Sequence, residues 1–87
     1  LLYNLLITQK RRGIIMDYAQ RIRDIREDND LNQTQVAMIL KTTQSYYAQY
    51  ENGHRKLPID HLITLCKFYN LSADYLLGLT DTPRRLK

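Results

Sequence analysis

Residues 31–53, LNQTQVAMILKTTQSYYAQYENG, decide how this chain folds, because they have the pattern of two short helices joined by a tight turn. Asn32 is a favourable N-cap, and Gln35 follows three residues later, so the two can form a capping box that opens the first helix. Apolar residues then recur at helical spacing, at Val36, Ala37 and Leu40. The pair Lys41-Thr42 breaks this run and marks the turn.

The second helix of this stretch divides its side chains between an aromatic face and a polar face. Thr43 offers its N-cap, and Tyr47 and Tyr50, three residues apart, continue the inward stripe. Hydrogen-bonding side chains point outward, at Gln44, Ser45, Tyr46 and Gln49. Such groups suit the edges of bases in a DNA major groove. The alternative interpretation is an amphipathic helical hairpin whose polar face is simply solvated.

The same stretch resembles, position by position, the helix-turn-helix of the XRE/Cro class of phage-repressor-like domains. The matching positions are Leu31-Asn32-Gln33, Val36-Ala37, Leu40, Thr43-Gln44 and Tyr50-Glu51-Asn52-Gly53. The similarity extends from about Tyr18 to Asp81 and includes the closing run DYLLGLTD at 74–81. Each element is common by itself, and the resemblance is carried by the ordered set without a gap.

The resemblance implies an all-α fold, a compact five-helix repressor-like DNA-binding domain with its helix-turn-helix at about residues 32–52. It also implies double-stranded DNA as the partner, with the second helix of the motif in the major groove. The base contacts implied are Gln44, Ser45, Tyr46 and Gln49. The phosphate contacts implied are Asn32, Gln33, Arg26, Asn52, Arg55 and Lys56. Arg26 and Glu51 also match positions that form a structural ion pair in several relatives, so Arg26 is expected to brace the second helix as well.

Some positions in the motif depart from the family pattern. Lys41 stands where Gly is frequent, which predicts backbone strain if its φ is positive. Thr42 replaces the usual aliphatic residue. Tyr47 and Tyr50 are large for core sites of this helix, and we expect their hydroxyls to reach the surface.

Helical periodicity predicts further helices on both sides of the motif. The first covers about residues 17–28, and the spacing of Asp17 and Arg21 predicts a surface ion pair on it. Its inward stripe is Tyr18, Ile22 and Ile25. A fourth helix starts at Pro58, and its predicted inward stripe is Ile59, Leu62, Cys66 and Tyr69. A short fifth helix is capped by Ser72. The main domain is therefore expected to span 16–81, followed by a basic tail at 82–87.

The net charge of +4 is weak support for nucleic-acid binding once its distribution is considered. Six of the basic residues lie near the chain ends, at Lys10, Arg11, Arg12, Arg84, Arg85 and Lys87. Between residues 17 and 83 there are seven basic residues against nine acidic ones. The folded part is slightly acidic. Support for DNA binding therefore comes from the positions of Arg55 and Lys56, just after the predicted recognition helix, and not from the net charge.

The sequence offers little for an enzyme, a disulfide, a metal or a cofactor. Cys66 is the one cysteine and lies on an apolar helical stripe, which is typical of a small buried thiol. His54 and His61 have no neighbouring thiols or carboxylates at metal-ligand spacing. With three glycines and no nucleophile–base pair, neither a phosphate-binding loop nor a catalytic group is predicted.

Residues 1–15, LLYNLLITQKRRGII, lie outside the resemblance. The apolar part is too short for a membrane span, and its positive charges follow the apolar run, unlike those of a signal peptide. Arg11-Arg12-Gly13 can be encoded as AGG-AGG-GGN, a ribosome-binding element just upstream of Met16. One hypothesis is therefore a translated leader that is not native. The other is a genuine arm that packs on a partner subunit.

The sequence thus predicts a cytoplasmic, sequence-specific DNA-binding regulator. We expect a repressor that acts as a homodimer on a palindromic site. The alternative is an antitoxin-type module, which binds a partner protein and uses DNA binding for autoregulation. No membrane association is expected.

Overall fold

The computed structural model describes residues 17–87, and within them the chain forms five α-helices and no strand. The helices are α1 Tyr18–Asp28, α2 Gln33–Ile39, α3 Gln44–Glu51, α4 Ile59–Tyr69 and α5 Ala73–Leu76. The all-α prediction of a five-helix domain is confirmed. The two hypotheses about residues 1–15 fall outside the described residues.

The first three helices begin where their N-cap side chains satisfy free backbone N–H groups. The Asp17 carboxylate accepts from the Ala19 amide at 2.8 Å. Asn32 and Gln35 form the predicted capping box, with both bonds at 2.8 Å. The Thr43 hydroxyl accepts from the Tyr46 amide and opens α3. Ser72 precedes α5 without a capping bond, because its hydroxyl is bonded to the Asp74 carboxylate instead.

The turn between α2 and α3 confirms the strain predicted from the absence of glycine. Lys41 has φ +60°, in the left-handed region, which costs a residue with a Cβ roughly 1–2 kcal/mol. The turn is closed by backbone bonds from Lys41 N to Met38 O at 3.1 Å and from Thr42 N to Ala37 O at 2.9 Å. These bonds hold α3 at a fixed angle to α2 in spite of the strain.

The core lies between α3 and the other four helices, and α3 contributes its largest members. Tyr47 and Tyr50 are fully buried, with their rings edge-to-face at 6.1 Å. The prediction that their hydroxyls reach the surface was wrong. The Tyr50 hydroxyl is hydrogen-bonded to His61 Nδ1 at 2.9 Å, and the Tyr47 hydroxyl is buried without a hydrogen-bond partner among the described residues. The rest of the core cluster is Ile22, Ile25, Val36, Ala37, Leu40, Leu65, Cys66 and Leu76.

Ile59, at the start of α4, was predicted to point inward but is 66% exposed. The α4 helix is covered on one side only, so the residues that pack inward begin with Leu62 and Leu65. Ile59 instead lines an apolar groove together with Ile63 and Leu86.

The segment after α5 packs back onto the domain. Arg21 of α1 is buried and donates to the carbonyl oxygens of Tyr75 and Thr80 and to the Asp81 carboxylate. The prediction that Arg21 lies on the surface was therefore wrong. Further along, the Arg84 carbonyl accepts from Ser72 N at 2.7 Å. These bonds attach the C-terminal segment to α1 and α5.

Candidate nucleic-acid interface

The α3 helix presents the predicted reading residues on one exposed surface. Gln44, Ser45 and Tyr46 occupy its first turn and are exposed, and Gln49 lies half-buried one turn later. The buried rings of Tyr47 and Tyr50 fix the rotation of the helix about its axis. The four polar side chains are thereby directed away from the core together.

The C-terminal end of α3 is joined to α1 by a buried ion pair. Arg26 Nε lies 2.8 Å from Glu51 Oε2 and Arg26 Nη2 lies 3.1 Å from Oε1, a two-point contact. The Glu51 side chain is fully buried, and that of Arg26 is 11% exposed. The third donor, Nη1, bonds the Leu31 carbonyl at 2.8 Å. Arg23 Nε adds a further positive charge 3.5 Å from Glu51 Oε1.

The hydrogen bonds around Glu51 keep it ionised. Desolvation acts to raise the pKa of Glu51, but hydrogen bonds from Arg26 and Gln33 outweigh it, so that the pKa is lowered. The hydrogen bond to Glu51 likewise raises the pKa of Arg26. Burial first, and then the interaction of the hydroxyl with the Glu51 carboxylate, through hydrogen bonding and charge, raise the pKa of Tyr47. This cluster at the end of α3 therefore joins the Glu51 carboxylate, the Arg26 guanidinium and the neutral Tyr47 phenol.

Two glutamine side chains continue from Glu51 to the exposed start of α3. Gln33 Nε2 donates to Glu51 Oε1 at 3.0 Å. Gln44 Nε2 donates to Gln33 Oε1 at 2.6 Å. The amide of Gln44 keeps its Oε1 and one N–H for an outside partner. That pair of groups matches the N6 and N7 edge of adenine.

A cation–π contact positions one basic residue beside α3. The Arg55 guanidinium lies 4.3 Å from the centre of the Tyr46 ring, which in turn meets the Tyr50 ring edge-to-face at 5.8 Å. Lys56 follows and is exposed. The loop after α3 thus places positive charge at one flank of the polar surface.

The other predicted phosphate contacts are distributed over both flanks. Asn32 caps α2 and Asn52 caps the end of α3, and both are exposed. Gln33 lies half-buried between Glu51 and Gln44. The donor groups of Arg26 are engaged by Glu51 and the Leu31 carbonyl. The structure accordingly assigns Arg26 a bracing position, and its phosphate contact stays a prediction.

Sequence reasoning missed three features of this surface: the bridge from Gln33 to Gln44, the second arginine at Glu51, and the stacking of Arg55 on Tyr46. The bridge joins residues 11 apart on two different helices. The sequence feature that could have indicated the bridge is the glutamine at the first position of both α2 and α3.

Comparison with known proteins places this geometry in a family. Residues 19–82 match the family model described as a helix-turn-helix domain. The chain belongs to this family of helix-turn-helix domains, and the predicted resemblance to phage-repressor-like proteins is confirmed.

The curated relatives are bacterial and phage regulators. The chain is 41% identical over 66 residues to the uncharacterised HTH-type transcriptional regulator YobD of Bacillus subtilis, covering 76% of this chain and 59% of that protein. It is 31% identical over 65 residues to the cryptic phage CTXphi transcriptional repressor RstR of Vibrio cholerae, covering 75% of this chain and 59% of that protein. The chain thus spans less than two thirds of the length of these relatives.

Solved structures share the fold. A transcriptional regulator from Listeria innocua superposes with a TM-score of 0.69 at 28% identity, covering 74% of this chain and 60% of that one. The P22 c2 repressor, solved in complex with a synthetic operator, superposes with a TM-score of 0.65 at 24% identity, covering 71% and 94%. At that identity the second match indicates fold alone.

Within residues 17–87, no cluster of three or more His, Cys, Asp or Glu side chains is arranged to hold a metal ion. In the same part of the chain, no helix has the length and apolar character of a membrane span.

The substitution Glu51→Gln is expected to lower the free energy of unfolding by about 3 kcal/mol at pH 7, because it leaves Arg26 buried without its counter-charge. The lowered pKa means that Glu51 stabilises the fold above its ordinary pKa, and that this contribution is lost as the pH falls through the lowered value. The difference between wild type and variant should therefore shrink in acid. Urea unfolding at a series of pH values measures it.

The matched control for this experiment is Glu27→Gln, since Glu27 also faces Arg26, at 3.8 Å, but its side chain is 60% exposed. An exposed pair contributes about 0–1 kcal/mol. Equal effects of the two substitutions at pH 7 would contradict the buried pair.

Proposed function

We propose that this chain is the DNA-binding domain of a sequence-specific transcriptional regulator, a repressor that binds a palindromic operator as a homodimer. The observation that carries the proposal is the exposed polar face of α3. On it, the Gln44 amide is held by one hydrogen bond to Gln33 and keeps a donor and an acceptor for an outside partner. Membership of the helix-turn-helix family supports it. The curated relatives are named as transcriptional regulators and as a repressor. These names favour a regulator over the antitoxin alternative.

In this proposal α3 enters the major groove and its first turn reads base edges. Gln44 bonds adenine through N6 and N7. Gln49, farther along the helix, reaches a second base, and its present bond to the Ser45 carbonyl is long, at 3.4 Å, so it is readily exchanged. Ser45 and Tyr46 complete the reading surface, Tyr46 through its ring against a thymine methyl group.

The phosphate contacts hold the reading helix in register. On the flank formed by the start of α2, Asn32 and the free N–H of Gln33 face the backbone. On the opposite flank, Asn52, Arg55 and Lys56 do so. Arg55 is held over Tyr46 before binding, which reduces the side-chain entropy lost on contact with DNA.

The geometry of the operators that this class of motif binds supports the proposed homodimer. Two copies of a recognition helix read half-sites about 34–36 Å apart on one face of the duplex. The apolar groove of α4, with Ile59 and Ile63 exposed at 66% and 47%, gives the domain an uncovered surface of the kind that self-association buries.

Selection of bound sites from random duplex DNA, at a stated salt concentration, tests the function directly. We expect a palindromic site whose half-sites are separated by one helical turn. Repeated with Gln44→Ala or Gln49→Ala, the selection should lose base preference at one position per half-site, with affinity for the wild-type site weakened by roughly 1–3 kcal/mol.

Gln20→Ala is the matched control, because Gln20 is an exposed amide on α1 that bonds Asp24 in its own helix. It should leave the selected site unchanged. Recovery of the wild-type consensus by both α3 variants would show that α3 is not the reading helix. A random pool without enrichment in the wild-type experiment would overturn the proposed function itself.

Neutralising the basic loop should weaken binding to all sequences alike. Arg55→Gln and Lys56→Gln are each expected to lower the slope of log K against log salt by about 0.9, the value for one phosphate contact on B-DNA. Arg85→Gln, which removes an exposed charge from the C-terminal segment, is the control and should leave the slope unchanged. Slopes equal to that of wild type in both loop variants would remove the loop from the interface.

A further inference from the structure

The outward half of α4 is a surface that the rest of the described chain leaves uncovered. The inward half packs on the core through Leu62 and Leu65, which fixes the rotation of the helix about its axis. The large exposed apolar side chains of the outward half are Ile59, Ile63 and Phe68, at 66%, 47% and 45% exposure. Apolar side chains grouped on one helix face are typical of a protein interaction site.

Two opposite charges lie on the same face, two turns of helix apart. Asp60 and Lys67 are both exposed, and neither forms an ion pair with another of residues 17–87. Their separation in sequence places them on one side of the helix, about 10 Å apart along its axis. That distance is too long for an ion pair within α4, so each charge is available to a second molecule.

The order of the side chains along this face is self-complementary. Reversing the direction of α4 about the point between residues 63 and 64 exchanges position 59 with position 68, and position 60 with position 67. The first exchange replaces one large apolar side chain by another, and the second replaces an acid by a base. A face with this symmetry matches a second copy of itself in the opposite direction, which is the requirement for an isologous two-fold interface.

We propose that α4 forms the interface of the homodimer, with the α4 helices of two copies packed antiparallel about a two-fold axis between residues 63 and 64. The inference rests on the proposed function and names the contacts that join the two copies. Asp60 of each copy pairs with Lys67 of the partner subunit. Ile59 packs against Phe68 of the partner subunit. The two-fold axis makes each contact twice.

The charges select the antiparallel arrangement. Parallel α4 helices would bring two Asp60 carboxylates together at one end and two Lys67 ammonium groups together at the other, and like charges across an interface are strongly disfavoured. The apolar groove beside Ile59, which Cys66 and Leu86 also line, gives Phe68 of the partner subunit an apolar site. One arrangement thus pairs the charges and covers the apolar side chains.

A charge-exchange experiment tests the pairing, by sedimentation equilibrium of the full chain without DNA. We expect wild type to dimerise. Asp60→Lys places a lysine opposite Lys67 of the partner subunit at both contacts, and Lys67→Asp places a carboxylate opposite Asp60 of the partner subunit. Each variant should raise the dissociation constant of the dimer by roughly 10- to 100-fold, because two repulsions replace two attractions.

Mixing the two variants is the decisive step. An equimolar mixture of Asp60→Lys and Lys67→Asp should form heterodimers with a dissociation constant within about threefold of that of wild type, because each lysine again faces a carboxylate. A variant that only disturbed the fold of its own chain would not be rescued by mixing. Asp28→Lys makes the same change of charge at an exposed position of α1, and as the matched control it should dimerise like wild type.

Ile59→Ser tests the apolar part of the interface independently of the charges. Because Ile59 is exposed in the single chain, the substitution should leave the melting temperature of the dilute, monomeric protein unchanged. It should weaken the dimer by roughly tenfold, since two apolar side chains are lost from the buried surface. The same melting measurement on Asp60→Lys and Lys67→Asp shows whether those chains keep their fold when they lose the dimer.

The outcomes separate this inference from the proposed function. A wild type that is monomeric at its highest soluble concentration, or a mixture that stays monomeric, would overturn the α4 interface. The DNA-binding proposal depends instead on the site-selection experiment, and it stands if a palindromic site is enriched while the mixture fails to dimerise. Enrichment of a single half-site, together with a monomeric wild type, would overturn the homodimer itself.

Discussion

The buried carboxylate of Glu51 is the group on which the arrangement of the first three helices depends. It accepts two bonds from Arg26 of α1 and one from Gln33 of α2, while its own backbone ends α3. An ion of this kind is costly to bury, and an apolar replacement of a complete buried pair is often no less stable. The ion pair instead fixes the relative orientation of the helices. Each donor must face the carboxylate, so the ends of α1, α2 and α3 are held toward one point.

The aromatic core of α3 complements this constraint. Tyr47 and Tyr50 take up more volume than aliphatic residues would, and their fully buried rings allow only one rotation of the helix. The Tyr50 hydroxyl is satisfied by His61 of α4. Packing therefore sets which face of α3 is exposed, and the ion pair sets where its ends lie. Together, the core packing and the ion pair fix the positions of the base-reading side chains before any DNA is bound. This lowers the entropy cost of recognition.

The local features of this domain could be predicted from the sequence, and the features that join distant segments could not. The caps at Asn32 and Thr43 and the strained turn at Lys41 depend on neighbours within a few residues. Arg21, by contrast, finds its partners 54 to 60 residues away, and an i,i+4 spacing gave a misleading surface pair. Ile59 has the helical period of a core residue, but the adjacent elements do not extend over it. The link between Gln33 and Gln44 exists only once α2 and α3 have their mutual angle.

The central claim is that the Arg26–Glu51 pair serves orientation rather than stability, and the double substitution Arg26→Met/Glu51→Met tests it most directly. Removal of both charges leaves neither unpaired, so the free energy of unfolding should return to within about 1 kcal/mol of wild type or exceed it. The same protein should bind its operator with less base preference, because the ends of α1, α2 and α3 lose the common acceptor that orients them. Recovery of stability together with the full wild-type preference would contradict the claim.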